Sequence, residues 1–220
     1  MALHYALLAE VLGVEFFSFG SNLREMTRTT PGGEGFEVEL DDEQVEQRRN
    51  GWQNVITRLR GAFRGGLTYA ARFPAEAQDI AFFDQLDYVG LQLYPRVPPA
   101  VGIPDDKALR GTLRFELERA LELAVRWNKP LLIVQLGFPA RADSWSTPMV
   151  PRGELDLEAQ RRYLGALAEV LGGPLENGSS LRGLFLWNWP LDPQACGPAE
   201  RGFALRGKPV EEALGRLFER

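Results

Sequence analysis

The sequence predicts an α/β fold, a parallel (β/α) barrel of the TIM type, and three observations carry that expectation. First, five strand-length segments rich in apolar and aromatic residues each lead into a helix-length amphipathic stretch, the order that builds parallel sheets through right-handed crossovers. Second, the run from Pro130 to Phe138 is almost wholly apolar, as in a strand covered on both faces. Third, polar or aromatic residues close successive strands at their C-terminal ends, as Asn22, Arg72, Tyr94, Gln135 and Trp187, which is where barrels of this kind place their chemistry. A doubly wound open sheet has the same alternation. No strand here is followed by a glycine-rich phosphate loop, however, and that removes the usual reason to prefer it.

Taken in order, Ala2 to Leu12 repeats Leu7, Leu8, Val11 and Leu12 at helical spacing, so the chain opens on a helix. Val14 to Gly20, with Phe16, Phe17 and Phe19, reads as a buried first strand, and Gly20-Ser21-Asn22 as the loop at its end. Thr29 to Asp42 is rich in glycine and acid and reads as a surface loop. A helix follows from Asp42 to Phe63, directing Val45, Trp52, Ile56 and Leu59 toward a core. Leu67 to Ala71 is the second strand, Pro74 to Phe83 a short helical crossover, and Leu86 to Tyr94 the third strand, closed by Pro95. Asp105 to Trp127 carries the clearest stripe, Leu109, Leu113, Leu117, Ala120, Leu121 and Ala124. The fourth strand is the Pro130 run, and the loop Ala140 to Gly153 after it holds Trp145. Leu155 to Leu171 is again amphipathic, Leu181 to Trp189 is the fifth strand, and Val210 to Phe218 is a last helix started by Pro209.

The 220 residues suffice for one domain over 1–220, and 45% hydrophobic with 25% charged residues is an ordinary globular mixture. A net charge of -5 argues against a nucleic-acid or anionic-membrane partner, which needs clustered Lys and Arg. One cysteine, Cys196, leaves no internal disulfide, and one histidine, His4, leaves no His/Cys zinc site. No cofactor motif is present. No apolar stretch reaches the roughly 20 residues of a membrane span. The first residues lack the layout of a signal peptide, so the expected location is cytoplasmic if Met1 is the natural start.

Gly20-Ser-Asn-Leu23, Leu67-Thr-Tyr-Ala-Ala71, Leu86-Asp-Tyr-Val-Gly90 leading to Tyr94-Pro95, Lys129-Pro130 leading to Gln135-Leu-Gly-Phe138, and Gly183-Leu-Phe-Leu-Trp-Asn-Trp189 together resemble the clan A glycoside hydrolases. Family 113, the β-mannanase-like barrels, is the most similar, and the likeness runs from Val14 to the last helix. The resemblance implies retaining hydrolysis by two glutamates at the ends of barrel strands four and seven, one protonating the leaving oxygen while the other attacks the anomeric carbon from about 5 Å away. The acid/base would fall in a Gly-x-Glu-Leu stretch and the nucleophile in a Glu-x-Gly stretch. Here those places hold Asn22 and Gln135. An amide neither donates a proton as a carboxylic acid does nor attacks an anomeric centre well, yet it keeps the outline and much of the hydrogen bonding of a carboxylate.

The resemblance also matches the first strand to the barrel's fourth. That leaves a partial barrel of strands 4 to 8, short of three strand-helix units or about 90 residues. Three explanations are open: a chain that is a fragment of a longer reading frame, a second chain that completes the barrel, or a homo-oligomer that covers the resulting sheet edges. Arg72, Tyr94, Trp145, Trp187 and Trp189 are the candidate substrate-binding residues, the aromatic ones because their faces stack on the C-H faces of sugars. Three readings follow. In the first, the chain is a catalytically degenerate glycoside-hydrolase-like pseudoenzyme that retains binding of a β-linked oligosaccharide. In the second it is an active retaining β-glycosidase using another acid among Glu15, Glu25, Asp84, Asp87 and Asp192, and in the third a structural or interaction scaffold.

Overall fold

A computed structural model of the chain describes residues 1–29, 39–98, 102–150, 152–176 and 180–218. Helix α1 (Ala2–Val11) leads into β1 (Phe16–Ser21), and a one-turn helix α2 (Arg24–Thr27) precedes α3 (Asp42–Ala62). Strand β2 (Gly66–Arg72) is joined to β3 (Val89–Leu93) through two 3-10 turns, Ala77–Asp79 and Phe83–Gln85. Then come α4 (Asp106–Arg126), β4 (Leu131–Leu136), α5 (Leu157–Glu176), β5 (Leu181–Leu186) and, after a 3-10 turn at Pro193–Ala195, α6 (Val210–Phe218). The strands are ordered β1-β2-β3-β4-β5 in one sheet, each beside its sequence neighbour. Pairing of β1 with β2 and of β2 with β3 is parallel, in the registers Phe17 to Leu67 and Arg72 to Gln92. This is the strand-helix alternation expected from sequence.

The chain divides into two compact units, one made of Met1–Gln92 with Ala120–Leu132, the other of Leu93–Arg119 with Ile133–Arg220. In the first unit, β2 and β3 are buried nearly throughout, as strands covered on both faces must be. Helix α3 begins with a capping box. The Asp41 carboxylate accepts the Gln44 amide at 2.8 Å while the Gln44 side chain accepts the Asp41 amide at 3.1 Å. Its Val45, Ile56 and Leu59 are buried as predicted. Trp52 stacks on Phe82 at 5.0 Å between ring centroids, and both rings meet Tyr69 near 6 Å.

In the second unit the centre is aromatic. Phe138 and Tyr163 stack at 4.0 Å, Trp145 lies 5.1 Å from Phe138, and the Tyr163 hydroxyl donates to the Pro95 carbonyl at 2.6 Å. Gln160, buried on α5, donates to the Phe138 carbonyl at 2.8 Å and ties that helix to the segment after β4.

Three expectations are corrected. Leu7, Leu8, Val11 and Leu12 do not form a packed stripe: α1 buries Ala6 and Ala9 instead and leaves the larger side chains exposed. Strand β1 is only half-buried, because it stands first in the sheet order, with β2 as its one strand neighbour among the described residues. The crossover expected as a short helix at Pro74 to Phe83 is a pair of 3-10 turns, and α2 was not foreseen. Most of the acidic loop expected at Thr29 to Asp42 lies outside the described residues.

Candidate functional site

Asn22 and Arg72 belong to the first unit. Both sit at C-terminal ends of strands, Asn22 directly after β1 and Arg72 as the last residue of β2. The two strands are paired in this region, Ser21 opposite Ala70. Asn22 has φ 54°, the left-handed region that asparagine tolerates better than most residues. This twist sends the chain out of β1 into α2. It is held there by the Leu23 amide, which donates to the Tyr69 hydroxyl at 2.9 Å, and by the Trp52 indole, which donates to the Met26 carbonyl at 2.8 Å. The Arg72 side chain is exposed.

The second unit holds Tyr94, Gln135, Trp145, Trp187 and Trp189. Gln135 is half-buried near the end of β4, and Gly137, two residues on, lies against the Trp187 backbone just after β5. A Cβ placed at Gly137 would stand 2.4 Å from the Trp187 carbonyl oxygen and 2.9 Å from the Phe203 ring, so this backbone approach admits only glycine. The Trp187 amide donates to the Leu136 carbonyl at 2.7 Å, and Phe203 meets the Tyr94 ring edge-on at 6.1 Å. Tyr94 and the backbone of Trp187 thereby meet at Phe203, a residue that sequence reasoning missed. Phe203 lies in the loop after β5 and is placed by pairing of that loop with Asn188, whose amide donates to the Phe203 carbonyl at 3.2 Å.

Trp187 and Trp189 are 46% and 51% exposed, so both present ring surface to solvent, as a sugar platform requires. Trp145 does not. It is 3% exposed, enclosed by Phe138 and Tyr163 with the Arg162 guanidinium 5.6 Å above its ring, and its expected place beside a cleft is corrected to the core.

Of the five candidate substitute acids, two have structural partners and a third stands at the start of its strand. Asp87 accepts the Leu67 amide at 2.6 Å and pairs with Arg60 at 2.7 Å, just before β3 and at the start of β2, the end of the sheet away from Asn22. Glu15 immediately precedes β1, at that same end. Asp192 accepts the Gln194 amide at 2.9 Å and caps a 3-10 turn. Among the described residues no group of three His, Cys, Asp or Glu is placed to hold a metal ion, and no helix is long and apolar enough to cross a membrane.

A family model described as Glycoside Hydrolase Family 113 matches residues 29–208. No curated protein gives a significant match. Among solved structures, the GH113 β-mannanase AaManA from Alicyclobacillus acidocaldarius, in complex with ManMIm, is 22% identical with a TM-score of 0.74, over 100% of this chain and 59% of its own. A GH113 β-1,4-mannanase complex is also 22% identical, with a TM-score of 0.72 over 99% of this chain and 60% of its own. A family 5 mannosidase from Rhizomucor miehei is 15% identical with a TM-score of 0.51, over 76% of this chain and 46% of its own. The chain thus has the fold of the TIM-type barrel and spans about three-fifths of the length of the GH113 structures it matches.

Proposed function

Because the chain belongs to glycoside hydrolase family 113, we propose that it is a catalytically degenerate member, a pseudoenzyme that retains binding of a β-linked, manno-configured oligosaccharide. The observation that carries this reading is the pair of amides, Asn22 after β1 and Gln135 on β4, at the positions where the resemblance expects the acid/base and the nucleophile. Hydrolysis with retention needs one group to deliver a proton and the other to form a covalent bond to the sugar, and loss of either typically costs several orders of magnitude in rate. Binding has lesser demands. The half-exposed rings of Trp187 and Trp189, the Tyr94 ring and the exposed Arg72 supply stacking faces and donors that need no ionised carboxylate.

The reading of an active enzyme with substitute carboxylates draws no support from Asp87, Glu15 and Asp192, which cap turns or stand at the opposite strand ends. The partner side of the proposal is a second copy, or a second chain, that completes the barrel over the exposed face of α1 and the strand at either edge of the sheet.

The test is hydrolysis of aryl β-mannoside and β-glucoside substrates with activated leaving groups, by the wild type and by the double variant Asn22→Glu, Gln135→Glu, beside calorimetric titration with β-1,4-manno-oligosaccharides. The expected result is no turnover by the wild type, saturable binding, and turnover by the double variant. Wild-type turnover that disappears on changing one of the other acids would support the active reading instead. No oligosaccharide binding together with a stable protein complex would point to the scaffold.

A further inference from the structure

The crossover after β2 contains a carboxylate that the reading above leaves without a role. Glu76 is wholly buried. Its Oε1 accepts the Tyr69 hydroxyl at 2.7 Å and the Thr27 hydroxyl at 2.9 Å, and its Oε2 accepts the Arg72 amide at 2.9 Å. The Tyr69 hydroxyl in turn accepts the Leu23 amide at 2.9 Å, and Leu23 is the residue after Asn22. Burial, and next the neighbouring Glu76 carboxylate, push the Tyr69 phenol far above its ordinary range, so the hydroxyl keeps the proton it donates.

One carboxylate therefore joins the two segments that carry Asn22 and Arg72, all within a single compact unit. Burying a carboxylate is costly, and an apolar side chain of the same volume commonly serves stability as well or better. An apolar residue cannot fix three donors from two separate segments in one geometry, whereas the two oxygens of a carboxylate can.

We propose that Glu76 is a positioning residue for oligosaccharide binding: through Tyr69 and the Arg72 amide it sets Asn22 and Arg72 at the C-terminal ends of β1 and β2. The proposal rests on the carbohydrate-binding reading, and its two branches are separable. Tyr69→Phe cuts only the branch to Leu23. Glu76→Leu cuts both. Glu76→Gln keeps an acceptor for the Arg72 amide but loses the second anionic oxygen.

The experiment is residue-resolved amide hydrogen exchange on the full chain, with titration of β-1,4-mannotetraose into each variant. Loss of one such bond speeds local exchange about tenfold. Tyr69→Phe is expected to do so at Leu23 and spare Arg72, and Glu76→Leu to do so at both, with Leu91 in the buried strand β3 unchanged in each. The Kd for mannotetraose rises about tenfold in Glu76→Leu, by less in Glu76→Gln, and not further when Glu76→Leu is added to the Asn22→Ala, Arg72→Ala double variant. Exchange that rises equally at Leu23, Arg72 and Leu91, or a loss of binding that adds in full to that of the Asn22→Ala, Arg72→Ala double variant, overturns the assignment. Wild-type binding with uniform exchange overturns the role of Glu76 alone. Selective exchange with no binding by the wild type overturns the carbohydrate reading beneath it. If Glu76→Leu fails to fold, Tyr69→Phe removes a single hydroxyl and carries the same test.

Discussion

Gly137 shows how much a single residue's lack of a side chain decides. The Trp187 carbonyl and the Phe203 ring occupy the space a methyl group would fill, and the nearer of them is backbone. Gly137→Ala must therefore move the end of β5, and overpacking of this kind costs about 1 to 3 kcal/mol. Thermal unfolding should show a lower Tm, and mannotetraose binding should weaken with it because Trp187 is displaced; binding that survives the loss of stability would remove Trp187 from the site. Asp143 is a second case. Partial burial pushes its carboxyl up, but the amides of Arg152 at 2.7 Å and Gly153 at 2.8 Å, helped by the charge of Arg141, outweigh that and hold it below the ordinary carboxylate range. A carboxyl depressed by folding contributes stability above its unfolded pKa and loses it as pH falls through the folded value. Asp143→Asn should lower stability at pH 7 by about 1 kcal/mol or less, since the group is half-exposed. The gap from wild type should close in acid unfolding midpoints below pH 4, and a gap that widens there would contradict this account.

Among the elements, the long amphipathic helices were the most legible in sequence, and physics explains why. Of the stripe Leu109, Leu113, Leu117, Ala120, Leu121 and Ala124, all but the half-buried Leu121 are buried as periodicity predicts, because one face must meet a sheet. Helix α3 is also signalled at its start: Asp41 and Gln44 form a reciprocal cap, and Asp41→Ala should cost about 1 kcal/mol, measured as a shift in denaturant midpoint with unchanged slope. What sequence hid were elements made by distant partners. The turn α2 has only four residues, too few for periodicity to show, and is fixed by Tyr69 and Trp52 from 46 and 26 positions away. Glu76 and Phe203 lie in connecting segments with no pattern to mark them, so their roles emerge only when β2 and the loop after β5 are folded. Trp145 misled for the opposite reason. A tryptophan between serines in a loop resembles a binding residue, and the stacked pair Phe138 and Tyr163 that buries it is assembled from two separate elements.

At the scale of the whole molecule, the exposed apolar surface decides the prediction. Helix α1 leaves Leu7, Leu8, Val11 and Leu12 between 44% and 82% exposed, and Val14 beyond it is 42% exposed. Single exposed leucines are commonplace, but a contiguous group on one helix marks an interaction face. Covering a leucine fully yields about 1.5 to 3 kcal/mol, so several on one face suffice to hold a complex against the entropy of association. Strand β1, next in sequence, stands first in the sheet order among the described residues, and an edge strand is a natural template for association. The 24.6 kDa chain on its own should therefore associate at micromolar concentration, and light scattering on the eluting peak should report a mass above one chain. The double variant Val11→Glu, Leu12→Lys should return it to a monomer. Because α1 packs through Ala6 and Ala9 and is tied by the Glu10 carboxylate to the Arg64 amide at 2.9 Å, that change should leave the Tm of the monomer unaltered. A wild-type chain that elutes at the mass of one copy at every concentration would remove self-association.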